Sequence, residues 1–414
     1  MTTIKDSVHD HIEVRGVAAA LLDTPPVQRL RRVHQLGTAS LVYPAANHTR
    51  FEHSLGVYHL AREALDSLDV DGARAKRVRA AAILHDAGHG PFSHAIEDLI
   101  HDRTGKYHDD VDDLLGSGDV ARVLDEHGLD PARVAAMVRG EGDLAGIVAG
   151  ELDVDRMDYL VRDAHHTGVP YGTIDHGRLV RALTRHDGAL VLDEGNVQSA
   201  ESLLLARALM NPTVYNHHVA RISTAMLRRA AERLLATTET TPETLRRMDD
   251  PALRTALRDR DASAAFARRL DRRDLYKRAV WAEMADVADD PFADDPVLDA
   301  DGGEVRGYER EIAARAGVDR DAVLLDVRER PTMRESDSRV LVNGEVRRLD
   351  EQSTLVRALQ MAQREQWRLG VYAPPDEVDA VGRAAVDVLG LDIDGALVNE
   401  TTRGQYNLGD FGEN

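Results

Sequence analysis

Four short segments of this 414-residue chain gather the ionisable side chains that a metal site needs. They are residues 47–57 (NHTRFEHSLGV), 84–94 (LHDAGHGPFSH), 107–109 (YHD) and 152–160 (LDVDRMDYL). The chain has no cysteine, which excludes thiolate ligands and cysteine nucleophiles, so a bound ion must be held by His, Asp or Glu. His85 and Asp86 put a nitrogen and an oxygen donor side by side at the end of an apolar run. Gly88, Gly90 and Pro91 then turn the chain, with His89 and His94 on either side of the break. His94 and Glu97 are three residues apart, a spacing at which a carboxylate orients an imidazole. Imidazoles titrate near neutrality and suit proton transfer. A mixed His/Asp donor set suits a borderline or hard divalent ion (iron, manganese, zinc, cobalt, nickel or magnesium) with positions left for water and phosphate.

Such groups meet when helices project them into the middle of a bundle. Apolar residues at i, i+3 and i+4 predict helices over 55–68, 73–84, 120–124, 134–138, 144–149, 199–209 and 214–235, with a further one opened by Thr24-Pro25-Pro26. Within this block only residues 189–192 read as a strand. After a Thr/Glu linker at 237–241 come short Arg/Asp-rich helices to about residue 287, then an acidic loop over 289–301. Alternation predicts strands at 323–327 and 339–349, the latter folded back at Asn343-Gly344. Helices at 355–369 and 378–389 flank a short Val371-Tyr372 strand. The expected architecture is a mainly α protein: a helical core over 1–235, a helical and acidic linker over 236–320, and a smaller α+β region over 321–414.

Composition narrows the setting. The formal charge of −20 argues against a nucleic-acid binder working by general basic attraction. Only Lys5, Lys76, Lys106 and Lys277 among the 52 cations are lysine, against 72 carboxylates, a balance that fits a high-salt cytoplasm where screening limits self-repulsion. No stretch approaches the ~18 continuous apolar residues of a membrane span. The first residues carry no basic-then-apolar export signal, so a cytoplasmic protein is expected.

Taken in order, Val8-His9-Asp10-His11-Ile12-Glu13, Leu22-Asp23-Thr24-Pro25, Arg50-Phe51-Glu52-His53-Ser54-Leu55-Gly56-Val57, His85-Asp86-Ala87-Gly88-His89-Gly90-Pro91-Phe92-Ser93-His94, Asp153-Val154-Asp155-Arg156-Met157-Asp158-Tyr159 and Ala164-His165-His166-Thr167-Gly168 resemble the HD-domain phosphohydrolases. Within these they resemble the deoxynucleoside-triphosphate triphosphohydrolases, over about residues 4–235. The resemblance implies an HD-domain helical bundle with a divalent ion on His53, His85, Asp86 and Asp155; it alone selects Asp155 over Asp153. It implies phosphate contacts from Arg50, Arg156 and Arg207, and sugar or base contacts from Gln35, Tyr159, Asp163 and Tyr215. His89, His94 and His108 fall on active-site histidines, with Glu97 as the orienting carboxylate. Asp23, Gln28 and Arg31 match a regulatory guanine pocket of the vertebrate relatives, whose lysine and valine contacts fall near Thr2 and Thr3 here. The implied reaction turns a deoxynucleoside triphosphate into deoxynucleoside and triphosphate, in a homo-oligomer, dimer or tetramer. Two alternatives remain at this stage: an HD phosphodiesterase or nucleotidase on another nucleotide, such as a cyclic dinucleotide or a monophosphate, and a nucleotide-binding regulator without turnover.

Overall fold

The computed structural model describes residues 2–288, 295–393 and 395–398. The chain divides into two compact units, each assembled from separated segments. The first takes Met1–Ala220, Leu227–Arg272 and Met333–Leu359; the second takes Arg221–Met226, Arg273–Thr332 and Gln360–Asn414. The three helices Pro242–Arg247, Asp250–Arg258 and Asp261–Asp271, in the stretch read as a linker, thus lie in the first unit.

The first unit is a helical bundle around the helices Arg50–Ser67, Gly72–Leu84 and Val154–Thr167. Each has a local reason for its ends. Thr49 and Glu52 form a capping box that opens the first helix. Asp153 caps the third through the Arg156 amide, and Gly168, at φ +73°, ends it in the left-handed region where glycine is strain-free. The second helix has residues Ala80 to Leu84 all buried, so the His85-Asp86 pair that follows emerges inside the bundle. The apolar core includes Leu21, Leu30, Leu55, Leu60, Ile83, Met157 and Leu160.

Several expectations for this unit change. Thr2–Asp6 and Asp10–Val14 pair as an antiparallel hairpin that the sequence reading passed over; Ile12 and Val14 bury one face. The stretch 144–149 makes only the short turn Ala145–Ile147, since Gly140, Gly142, Gly146 and Gly150 weaken any helix there. The last long helix runs His218–Thr237 rather than from 214, because Asn211–Tyr215 forms a π-turn around Pro212. Residues 189–192 form the expected strand, with Leu183–His186 as an additional antiparallel partner. The hairpin Arg339–Val342/Glu345–Arg348 turns at Asn343 and Gly344, both at positive φ, and joins this sheet through Leu192 and Val340.

The second unit holds the antiparallel sheet Lys277–Glu283, Arg368–Ala373, Leu324–Asp326, in that order, with helices Gly302–Ala316 and Val378–Leu389. Residues 277–283 were expected to be helical; their buried Ala279, Val280 and Ala282 instead pair with the central strand. Gly302–Ala316 was not anticipated, although Asp301 and Glu304 form its capping box. Of the acidic loop, residues 289–294 lie outside the described residues, and in the remainder Asp295 closes a turn on the amides of Val297 and Leu298. Among the described residues no helix is long and apolar enough to cross a membrane.

Candidate active site

Three buried donors converge where the bundle helices meet: His53, His85 and Asp86 place ligating atoms within 4.8 Å of one another. His53 Nε2 lies 3.3 Å from His85 Nε2, 3.8 Å from Asp86 Oδ2 and 2.7 Å from Asp155 Oδ1. His85 Nε2 lies 3.4 Å from Asp86 Oδ1 and 3.7 Å from Asp155 Oδ1. Atoms each about 2.0–2.2 Å from a common ion stand roughly this far apart.

The outer nitrogens fix the rings. His85 Nδ1 donates to the Ala82 carbonyl at 2.9 Å, which leaves a lone pair on Nε2. His53 Nδ1 meets Asp158 Oδ2 at 2.7 Å, the carboxylate–histidine arrangement that orients a metal ligand. Arg162, four residues along the same helix, donates to both Asp158 oxygens and to Asp6, while His9 Nε2 meets Asp158 at 2.6 Å. This buried backing of Asp158, Arg162, Asp6 and His9 was missed in the sequence. Its available signal was the Asp158/Arg162 spacing of four on a helix already carrying Asp155. Gly56 makes room for it: a Cβ there would fall 1.8 Å from Asp158 Oδ1.

The charges favour a cation. Burial alone would lower the His53 pKa, but Asp155, Asp158 and Asp86 reverse that and raise it to about 10. Burial would raise the Asp86 pKa, yet Arg50, His85 and His89 hold it well below the usual carboxylate range. Two imidazole nitrogens and ionised carboxylates gathered in a buried site fit a divalent ion. The two carboxylates of Asp153-Val154-Asp155 sit in different surroundings. Both Asp153 oxygens accept backbone amides, from Gly150 and Arg156 at 2.8 Å each, and burial raises its pKa to about 6. Asp155 is the one facing His53.

Beside the donors stand three stacked or edge-on imidazoles. His89 and His108 are parallel with centroids 4.0 Å apart, and His94 sits edge-on to both. Glu97 joins His94 Nδ1 through Oε2 and His108 Nδ1 through Oε1. Gly88 permits this, since a Cβ there would lie 2.0 Å from the His108 carbonyl oxygen. Burial, with the charges of Arg50 and His108, pushes His89 well below the usual imidazole pKa. Burial also opposes protonation of His108, but the Glu97 hydrogen bond and charge outweigh it and raise its pKa.

Arg50 is buried, donating to both Asp86 oxygens at 3.0–3.1 Å and to Ser93 Oγ at 2.9 Å, so its charge lies directly against a metal donor. Gln35 is buried with its Oε1 lacking a hydrogen-bond partner. Asp163 accepts from Tyr215 at 2.9 Å and meets His48 Nε2 at 2.8 Å; His48 was not foreseen as part of this group. Tyr159 stands edge-on to Tyr215, 6.1 Å between centroids. Arg207 acts on the Tyr215 hydroxyl by charge, against the burial and Asp163 that raise its pKa. Arg156 is turned back on its own helix start, donating to the Gly150 and Glu151 carbonyls. Of the regulatory candidates, Gln28 accepts from Arg31 at 2.9 Å, Arg31 lies 3.6 Å over the Phe51 ring, and Asp23 is exposed.

Residues 50–163 match a family profile described as HD domain, and residues 174–400 one described as HD associated region. An uncharacterised protein of Methanocaldococcus jannaschii is 33% identical over 91% of this chain and 80% of its own length. A deoxynucleoside triphosphate triphosphohydrolase SAMHD1 homologue of Dictyostelium discoideum is 32% identical over 53% of this chain and 46% of its own. The chain therefore spans about half the length of that curated triphosphohydrolase. Among solved structures, a hypothetical protein of Aquifex aeolicus superposes with a TM-score of 0.75 at 27% identity, over 92% of this chain and 99% of that one.

Proposed function

Because the chain belongs to the HD-domain family of hydrolases, we propose that it converts deoxynucleoside triphosphates to deoxynucleoside and inorganic triphosphate at the site around His53. The observation that carries the reading is the single helix Val154–Thr167. It presents Asp155, Tyr159 and Asp163 at intervals of four residues, about 6 Å apart along its axis. One face thus offers a metal donor, then a phenol, then a buried carboxylate already bonded to Tyr215 and His48. That order suits a ligand with phosphate at one end and a hydroxylated sugar at the other.

His53, His85, Asp86 and Asp155 would hold the ion. Bound there, a divalent ion supplies Lewis acidity toward a phosphoryl oxygen. The remaining work belongs to side chains. Arg50, bonded to Asp86 and Ser93, brings positive charge to the edge of the donor set, while Arg207, and Arg156 once released from the Gly150 and Glu151 carbonyls, would give the bidentate contacts to a phosphate chain. His108, its pKa raised through Glu97, is the candidate acid for the leaving sugar oxygen, while burial and Arg50 push His89 toward its neutral form, and Glu97 keeps His94 and His108 aligned. Gln35 and Asp163 offer acceptors to sugar hydroxyls. Assembly as a dimer or tetramer, in a salt-rich cytoplasm, completes the proposal.

The test is product identity. Purified protein with a divalent ion and each dNTP should release intact triphosphate and deoxynucleoside, resolved by anion exchange. Release of orthophosphate, pyrophosphate or a nucleoside monophosphate contradicts the assignment.

A further inference from the structure

Asp250 begins the helix Asp250–Arg258, far in sequence from every residue of the site, yet its buried carboxylate binds the site's two supporting loops. Oδ1 accepts the Phe92 amide at 2.6 Å. Oδ2 accepts the His34 amide at 3.0 Å and stands 2.5 Å from His34 Nδ1.

The turn it holds is strained. Phe92 and Ser93 have φ of +57° and +55°, the left-handed region that disfavours any residue with a Cβ. Such a conformation persists only where neighbours over-determine it. Here they do. The Ser93 hydroxyl donates to the His34 carbonyl at 2.6 Å and accepts from Arg50 Nε at 2.9 Å. Arg50 continues to Asp86 and, at 3.4 Å, to the Gln35 carbonyl. At the other end of the same loop, Arg29 donates to the carbonyls of Ala87 and His89 at 2.9 and 2.6 Å.

Asp250 thus joins by direct bonds the segment carrying Gln35 to the turn that leads into His94, with Arg50 clamped between them. We propose that Asp250 is a positioning residue that sets Gln35, Arg50 and His94 against one another; this deepens the proposed phosphohydrolase function and rests on it. A carboxylate suits the task because all the groups facing it are donors. Asparagine has nearly the same shape but turns an NH2 toward one of those donors, leaving it unsatisfied in a buried place.

The experiment compares Asp250→Asn with Asp249→Asn in the metal-loaded enzyme. Asp249 starts the same helix, capping it through the Ala252 amide and pairing with Arg32, without touching the 92–93 turn. D250N should keep its metal content but lose kcat by about 10- to 100-fold, the effect of misplacing reacting groups by about an ångström. Amide exchange over residues 92–94 should quicken. D249N should keep the parental kcat. Parental kcat and exchange in D250N, or an equal kcat loss in D249N, overturns the proposal. If D250N does not fold, Ser93→Ala cuts the same chain of bonds at its other end and must lower kcat with metal retained; unchanged turnover there overturns it as well. Should the parent hydrolyse some other nucleotide, the dNTP reading falls alone, because the exchange measurement and the kcat comparison on that nucleotide still decide the role of Asp250.

Discussion

Asp158 stands 2.7 Å behind His53, on the ring nitrogen opposite the one that faces Asp155. This fixes which nitrogen points into the donor cluster; burial works against the Asp158 charge, but Arg162, His53 and His9 outweigh it and hold the carboxyl well below its usual range. Asp158→Asn should therefore weaken divalent-metal affinity by about 10- to 100-fold. Competition against a metallochromic chelator measures it, with circular dichroism to establish that the fold is kept. Unchanged affinity in a folded variant would mean that Asp158 serves only Arg162 and His9.

Gly56 gives an independent approach to the same contact. A methyl group there overlaps Asp158, so Gly56→Ala should destabilise by about 1–3 kcal/mol, the usual cost of overpacking, and loosen metal binding with it. Thermal melts with and without added metal separate the two effects, since an intact site would gain its full stabilisation from the ion.

The histidine group should show itself in pH dependence. His108 is raised above the ordinary imidazole value near 6.5 against the effect of burial, through Glu97. If its protonated form delivers the proton, kcat falls as pH rises through that raised value. Glu97→Gln should move this alkaline limb toward lower pH and reduce its plateau. The sign for stability is the same: a group binding its proton more tightly when folded contributes fully below about 6.5 and loses that contribution as pH rises through the folded value. A limb that stays in place after Glu97→Gln removes His108 from the role.

The acid-rich composition makes a prediction about solvent. Between about 0.1 M and 2 M KCl the screening length shrinks from roughly 10 Å to below 3 Å, and the self-repulsion of a chain with formal charge −20 falls with it. The melting temperature should rise by several degrees across that range. A falling melting temperature would show that exposed ion pairs, such as Arg122 with Glu126, outweigh the repulsion.

What could be read from the sequence divides along a physical line. His53 stands in the first turn of the helix whose periodicity is legible over 55–68, and His85-Asp86 follows directly on the one legible over 73–84, so these donors stood out; the helix Val154–Thr167 that carries Asp155 is not among those read from periodicity. Asp153 and Asp155 could not be told apart by spacing, since the difference lies in the cap bonds Asp153 makes to Gly150 and Arg156. The first hairpin escaped notice because its strands are five residues each and only Ile12 and Val14 mark the buried face. Asp250, His48 and His9 reach the site across 158, 115 and 149 residues of chain, and no local pattern reports such contacts. Residues 277–283 fall within the stretch read as short Arg/Asp-rich helices; pairing with the Arg368–Ala373 strand overrides that expectation.

The most direct test of the whole reading is a metal titration of nucleotide hydrolysis. Chelator-stripped protein receives Mn2+ in steps while bound metal and dNTP turnover are followed together, in the parent and in Asp155→Asn and Asp153→Asn. Turnover should be absent without metal and reach its plateau at about one tightly bound ion per chain, the capacity of a single donor set. Asp155→Asn should abolish that plateau, while Asp153→Asn retains it. Full turnover in the presence of chelator, or a plateau that survives Asp155→Asn, contradicts a hydrolytic centre built on His53, His85, Asp86 and Asp155.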